Sequence, residues 1–212
     1  LFFHIFSLNT YEIWEILDNF NIPILIDLVD SLGLKYLRYS QYSRGLVSNF
    51  YKLEAYALEK LEKSLPYFKN IKFYSLVSKI DFKRINSISK TPKYIYPIGT
   101  EDVEIMSFKA IPKKKFDIIF FGSLSYKPNF DAIKWFILEC LPIIRQDIKG
   151  LKILVAGSKP PKKLIKIVNN DKNIELIKNP KNMTNLILSS RISIAPMQNG
   201  SGQQNKVIES MN

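Results

Sequence analysis

The run Ile118-Ile119-Phe120-Phe121, closed by Gly122-Ser123, decides how the rest of the chain is read. Apolar residues in unbroken succession, bounded by a turn signal, fit a strand buried on both faces. Pro128-Asn129 follows, with Asn129 able to cap a helix, and Ile133, Phe136, Ile137, Cys140 and Leu141 then recur at helical spacing. The pattern repeats. Ile153-Leu154-Val155-Ala156 ends in Gly157-Ser158, and a helix carrying Leu164, Ile165 and Val168 is expected after Pro160-Pro161. Ile174 to Ile177 reads as a strand, Met183 to Leu188 as a short helix and Ile192 to Ala195 as another strand. A last helix begins beyond Gly200-Ser201-Gly202. Apolar strands alternating with helices predict an α/β fold built on a parallel, doubly wound sheet. Ligands of such sheets bind at the carboxyl ends of the strands, where the Gly-Ser turns and the Gly200 to Gly202 loop would lie.

Upstream, Leu1 to Phe6 and Ile24 to Ile26 read as strands, with a helix from Tyr11 to Leu17 between them. A long amphipathic helix follows, with Leu46, Phe50, Leu53, Ala57, Leu61 and Leu65 along one side. Phe73 to Val77 is a strand, Ser78 opens a short helix in which Asp81 completes a capping pair, and Tyr94 to Pro97 is one more strand. This half is also α/β. Lys113-Lys114-Lys115, read as a solvated linker, marks a boundary between one domain over 1–112 and a second over 113–212. The chain opens on Leu1-Phe2-Phe3 without Met and stops at Glu209-Ser210-Met211-Asn212 inside a helix. It therefore reads as a fragment truncated at both ends, with both domains incomplete.

Bulk composition narrows the function classes. The 212 residues carry 31 Lys and Arg against 19 Asp and Glu, a formal charge of +12 that attracts polyanions or an anionic membrane surface. The lysines are scattered, however, and no arginine-rich helix, zinc-finger spacing or aromatic ribonucleoprotein motif accompanies them, so no nucleic-acid role is expected. One cysteine, Cys140, excludes an internal disulfide and points to a reducing, cytoplasmic compartment. With a single histidine, His4, a Cys/His zinc site is not expected. No apolar stretch reaches the ~18 residues that would span a bilayer.

The stretch from Pro196 to Glu209 carries the most chemistry. A strand leads into a glycine-containing turn that opens a helix, and exposed N–H groups with the positive helix end favour a phosphate there. Gln204, Val207, Ile208 and Met211 form an apolar stripe expected to face the sheet. Gly202, Lys206 and Glu209 fall on another face, offering a close-approach glycine, a cation and a carboxylate in order. That order suits a nucleoside diphosphate, with lysine at the phosphates and the carboxylate at the ribose hydroxyls. The same spacing also makes Lys206 and Glu209 an ordinary surface ion pair, and the residues alone leave both readings open. A Walker A loop is excluded because Asn205 and Val207 flank the lysine, and the dinucleotide fingerprint fails for want of a glycine at Asn205.

Phe121-Gly122-Ser123-Leu124-Ser125-Tyr126-Lys127-Pro128-Asn129-Phe130-Asp131-Ala132, the strand Ile153 to Gly157, and Ala195-Pro196…Gly200-Ser201-Gly202…Lys206-Val207-Ile208-Glu209-Ser210-Met211 stand in the order and spacing of family 4 glycosyltransferases. The second half resembles that family's nucleotide-sugar-binding domain, nearest to the bacterial sugar transferases of surface-polysaccharide synthesis. The first half, through Asp27-Leu-Val-Asp30-Ser31, the helix with Glu54 and Glu62, and Val77-Ser78…Asp81, resembles the later part of the acceptor-side domain. Glu54 and Glu62 also read as solvated helix-face charges.

The resemblance implies a GT-B fold of two Rossmann-like domains and transfer of a sugar, with retention, from a nucleoside-diphosphate donor to a saccharide or lipid-linked hydroxyl acceptor. Gly122, Ser123, Gly200, Ser201, Gly202 and Lys206 would hold the donor diphosphate, and Glu209 the ribose. The family's arginine after the first glycine is here Ser123, and the first Glu of its E-x7-E pair is Ser201. The cation role then rests on Lys206, with Lys127 as second candidate. No catalytic residue is assigned; His4, at the end of the first strand, is the candidate by position, a packed or capped histidine being the alternative. No cofactor or metal is expected, the nucleotide-sugar being a substrate. A nucleotide-sugar 2-epimerase and a non-catalytic nucleotide-binding relative are the other readings. The charge adds a further expectation, peripheral contact with the anionic inner membrane face.

Overall fold

A computed structural model describes residues 1–85, 91–99, 112–199 and 203–211. The chain divides into two compact units, the first holding the elements of Leu1–Ile98 and the second those of Gly99–Gln198 with Gln204–Asn212.

In the first unit, strands β1 (Phe3–Phe6), β2 (Ile24–Val29), β3 (Ile71–Leu76) and β4 (Lys93–Ile95) form a parallel sheet in the order β1-β2-β3-β4. A 3-10 turn over Leu8–Ile13 runs into α1 (Trp14–Asp18), and α2 (Leu32–Gln41), α3 (Gly45–Ser64) and α4 (Lys79–Ile85) complete it. Ile24, Ile26 and Leu28 alternate into the core with Trp14, whose ring meets Phe68 edge-on at 5.7 Å. Helix α2 has a sequence signal of its own, Ser31 at its N-cap accepting from the Leu34 N–H at 3.0 Å.

The stripe expected to face inward along α3 does so only at its end, where Leu61 packs against the core and Leu65, just beyond the helix, is buried. Leu46, Phe50, Leu53 and Ala57 are exposed, Leu46 to 88% and Leu53 to 71%. The inward stripe is Tyr51, Ala55, Leu58, Glu62 and Leu65, of which Ala55, Glu62 and Leu65 are fully buried. Packing against α2 sets this choice. A Cβ on Gly33 would stand 3.2 Å from the Glu59 nitrogen, so the helices cross backbone to backbone there, while Tyr51 meets Tyr36 and Tyr39 at 5.9 and 5.5 Å.

The second unit contains β5 (Phe116–Ser123), α5 (Lys127–Trp135), a wide π turn over Phe136–Cys140, α6 (Leu141–Asp147), β6 (Ile153–Ser158), α7 (Lys162–Asn169), β7 (Ile174–Lys178), α8 (Met183–Leu188), β8 (Ser190–Ser193) and α9 (Asn205–Met211). Its strands are parallel in the order β7-β6-β5-β8. Both faces are covered, as the doubly apolar strands require. Ile118, Phe120, Ile153 and Val155 pack with Ile133, Phe136, Leu164 and Val168, whereas Ile119, Phe121, Leu154 and Ala156 pack with Met183, Leu186 and Ile187. The π turn lies just ahead of Pro142, whose ring would clash with the carbonyl four residues back in a regular helix. Asn129 does not cap α5. The helix starts earlier, at Lys127, because Pro128 needs no N–H in the first turn. The lysine run is more than a linker, since Lys114 Nζ donates to the carbonyls of Leu188 and Ser190 at 2.8 and 2.9 Å.

Candidate functional site

Strand β5 lies between β6 and β8, so the chain winds outward from β5 in one direction and returns on its other side. Such a reversal opens a crevice beyond the carboxyl ends of the two strands that flank it. Here those ends are Gly122-Ser123 of β5 and Ser193 of β8, with α9 following β8.

Gly122 has φ +137°, a backbone that side chains rarely adopt, and a Cβ would crowd Asn129 Nδ2 at 3.1 Å and touch Lys206 Cε at 3.7 Å. Its neighbour in β6, Gly157, is more tightly constrained, since a Cβ there would lie 1.8 Å from the Gly122 carbonyl oxygen. Against this close-packed turn lies a buried amide. Asn129, in the first turn of α5, donates through Nδ2 to the Ser123 carbonyl at 2.9 Å and accepts through Oδ1 from Lys206 Nζ at 2.5 Å.

Lys206 reaches in from α9 and is only 7% exposed. Its ammonium lies 4.6 Å from the Phe120 ring centre and 3.5 Å from the Met197 sulfur. Burial drives its pKa down from 10.5 to about 8, while the Glu209 carboxylate acts in the opposite direction. Ser210 anchors α9 by donating to the Lys206 carbonyl at 2.6 Å and bonding Ser193 Oγ at 2.8 Å.

The structure thus brings Gly122, Ser123 and Lys206 together, and it corrects the expected face of the last helix. Val207 and Met211 are exposed, to 44% and 81%, and Lys206 takes the inward position. The physical reason is the recess beneath Gly122, which accepts a long apolar stem topped by a cation able to sit on the Phe120 ring. Glu209 is exposed, and its carboxylate acts on the buried Lys206 through space. Gly200, Ser201 and Gly202 lie outside the described residues. Lys127 is occupied by Asp131 at 2.6 Å. His4 is exposed and is the second residue of β1 rather than its end, because the strand continues to Phe6. Two further groups at the site are not evident from sequence: Asn129, whose local pattern is that of a cap, and Met197. The signal for Asn129 was Pro128, which places the next residue inside the first helical turn.

The first unit holds a second polar cluster. Glu62 is 2% exposed, against its reading as a solvated charge. Its carboxylate accepts from Ser31 Oγ at 3.0 Å and from the Gly33 N–H at 3.1 Å, and burial raises its pKa. Asp81, also buried, accepts from the Ser31 N–H at 3.2 Å and from the Ser78 hydroxyl, while its own N–H donates to Ser78 Oγ at 3.1 Å. The expected Ser78–Asp81 capping pair is therefore present, joined through the Ser78 hydroxyl in both directions. Among the described residues, no three His, Cys, Asp or Glu side chains gather where they could hold a metal ion.

These observations meet the comparisons with known proteins at the second unit. Residues 115–212 match the family model described as glycosyl transferases group 1. That glycosyltransferase match contains β5 through α9, and so every described residue around Gly122 and Lys206. A solved structure of the pneumococcal O-GlcNAc transferase GtfA, in complex with UDP and GlcNAc, superposes with a TM-score of 0.52 at 9% identity. The superposition covers 90% of this chain and 36% of that one, so the chain spans about a third of the length of that transferase. No curated protein matches the chain. The α/β fold, with its two four-stranded parallel sheets, is that of a GT-B glycosyltransferase, as the resemblance implied.

Proposed function

We propose that the chain belongs to a family 4 type glycosyltransferase that moves a sugar from a nucleoside-diphosphate-sugar to a hydroxyl acceptor, with retention, in surface-polysaccharide or glycolipid synthesis. The observation that carries this reading is the buried Lys206 ammonium beneath the Gly122 turn, at the strand-order reversal, inside the stretch that matches a glycosyltransferase family model. A cation held in a partly dry recess attracts a diphosphate more strongly than one in water, and it stabilises the charge that develops on the leaving diphosphate. Gly122 and Ser123 approach the donor from β5, Gly200, Ser201 and Gly202 contribute N–H groups, and Glu209 accepts from the ribose. That GtfA was crystallised with UDP and GlcNAc is consistent with a donor and an acceptor of this kind.

Calorimetric titration of the full chain with UDP- and GDP-sugars tests the reading. Binding of one donor with slow release of free sugar is expected. Absence of binding to either contradicts it, binding without turnover favours a non-catalytic relative, and a 2-epimer product favours an epimerase.

Contact with anionic lipid on the cytoplasmic face of a membrane completes the proposal. Leu46, Phe50, Leu53 and Tyr56 of α3 are all exposed, with Arg44, Lys52 and Lys60 nearby in sequence, a mixture suited to an anionic interface. None of the described helices is long and apolar enough to cross a membrane. Cosedimentation with phosphatidylglycerol vesicles should exceed that with phosphatidylcholine and should fall severalfold in Leu53→Glu. Equal binding to both lipids contradicts the contact.

A further inference from the structure

We propose that Asn129 is a positioning residue, which fixes the Lys206 ammonium beneath the Gly122 turn without neutralising it and so leaves its charge for an incoming diphosphate. This rests on the donor-site reading above, but Asn129 itself is argued from geometry.

The amide is 7% exposed and both of its ends are used. An ammonium has only donors and a carbonyl only acceptors, so Oδ1 must face Lys206 and Nδ2 must face the Ser123 carbonyl. One planar group therefore ties the end of β5 to the tip of the α9 lysine. The Gly122 turn lies against both partners: a Cβ there would crowd the amide at 3.1 Å and stand in ordinary contact with the lysine stem at 3.7 Å.

The chemical identity of the partner matters as much as its position. Two other lysines of this chain meet carboxylates: Lys127 meets Asp131 at 2.6 Å and Lys63 meets Glu59 at 2.8 Å. Around Lys206, the groups facing the ammonium from α5, β5 and the stretch after β8 are Asn129, Phe120 and Met197, all neutral. Glu209, on its own helix, acts on it through space. An aspartate at 129 would have nearly the same shape, yet it would cancel the cation and repel a phosphate. An amide attracts the ammonium by its dipole and leaves the net charge intact.

The test compares wild type with Asn129→Asp and Asn129→Ser in the full chain, with two readouts. The first, without nucleotide, follows acetylation of Lys206 by acetic anhydride across pH, by mass spectrometry. The second is titration with UDP. In wild type the labelling midpoint should stand near about 8 and rise when UDP is bound. Asn129→Asp should raise the midpoint by about one unit without nucleotide and weaken UDP binding about tenfold at neutral pH. Asn129→Ser, too short to reach the ammonium, should also weaken UDP binding while leaving the circular dichroism unchanged. A labelling midpoint that does not move in Asn129→Asp overturns the proposal, as does UDP affinity that stays at the wild-type value in both variants. If instead Lys206→Met leaves UDP binding unchanged, the donor-site reading fails, and the nucleotide-free midpoint still decides whether Asn129 sets the lysine.

Discussion

Lys206 keeps a charge in a place that removes most of its water. Its amine ordinarily holds a proton up to 10.5 and here releases it near about 8. Between those two values the unfolded chain binds more protons than the folded one, so this group's contribution to stability rises with pH across that window. Below it, the folded protein carries the charged amine at a constant cost. Lys206→Met removes the titration. Urea denaturation should therefore show wild-type stability climbing relative to the variant between pH 8 and 10.5, by about 2 kcal/mol once solvent screening is allowed for. A flat difference contradicts the burial of the cation. Gly122, Ser123 and Lys206 were legible as single residues because a glycine after a strand and a cation after a glycine-rich turn have local meanings. Asn129 was not. Its role depends on a lysine far along the chain, and locally an asparagine ahead of a helical pattern reads as a cap.

Helices were legible as elements more readily than as faces. The sequence of α3 offers two stripes at helical spacing, and the more apolar one, through Leu46, Phe50 and Leu53, is turned outward. The stripe chosen contains Glu62, because the start of α2 brings an N–H and a hydroxyl that need an acceptor. No count of apolar residues reveals such a demand, which arises only when α2 crosses α3 at Gly33. Glu62→Ala should cost roughly 2–4 kcal/mol in urea denaturation at neutral pH, since Gly33 N–H and Ser31 Oγ lose a buried acceptor. The raised pKa gives a sign as well. The folded state holds the Glu62 proton more tightly, so wild-type stability relative to Glu62→Gln should fall as pH rises above 4.5. A variant as stable as wild type, or a difference that rises with pH, contradicts the buried carboxylate.

At the scale of the molecule, the alternation of apolar strands and helices predicted parallel sheets, and both sheets are parallel. Strand order was less accessible. That β8 returns to the far side of β5 depends on a pairing between residues such as Ile118 and Ile192, which no local pattern encodes. Yet that return makes the crevice, and it places the helix bearing Lys206 beside the strand bearing Gly122. The match of residues 115–212 to glycosyl transferases group 1 spans both of these elements. The most direct measurement is a crystal structure of the full chain with UDP. The diphosphate is predicted to lie against the Gly122-Ser123 turn with an oxygen within hydrogen-bond distance of Lys206 Nζ, and Asn129 should still hold that lysine. UDP bound at any other edge, or a Lys206 turned away from the nucleotide, would contradict the account.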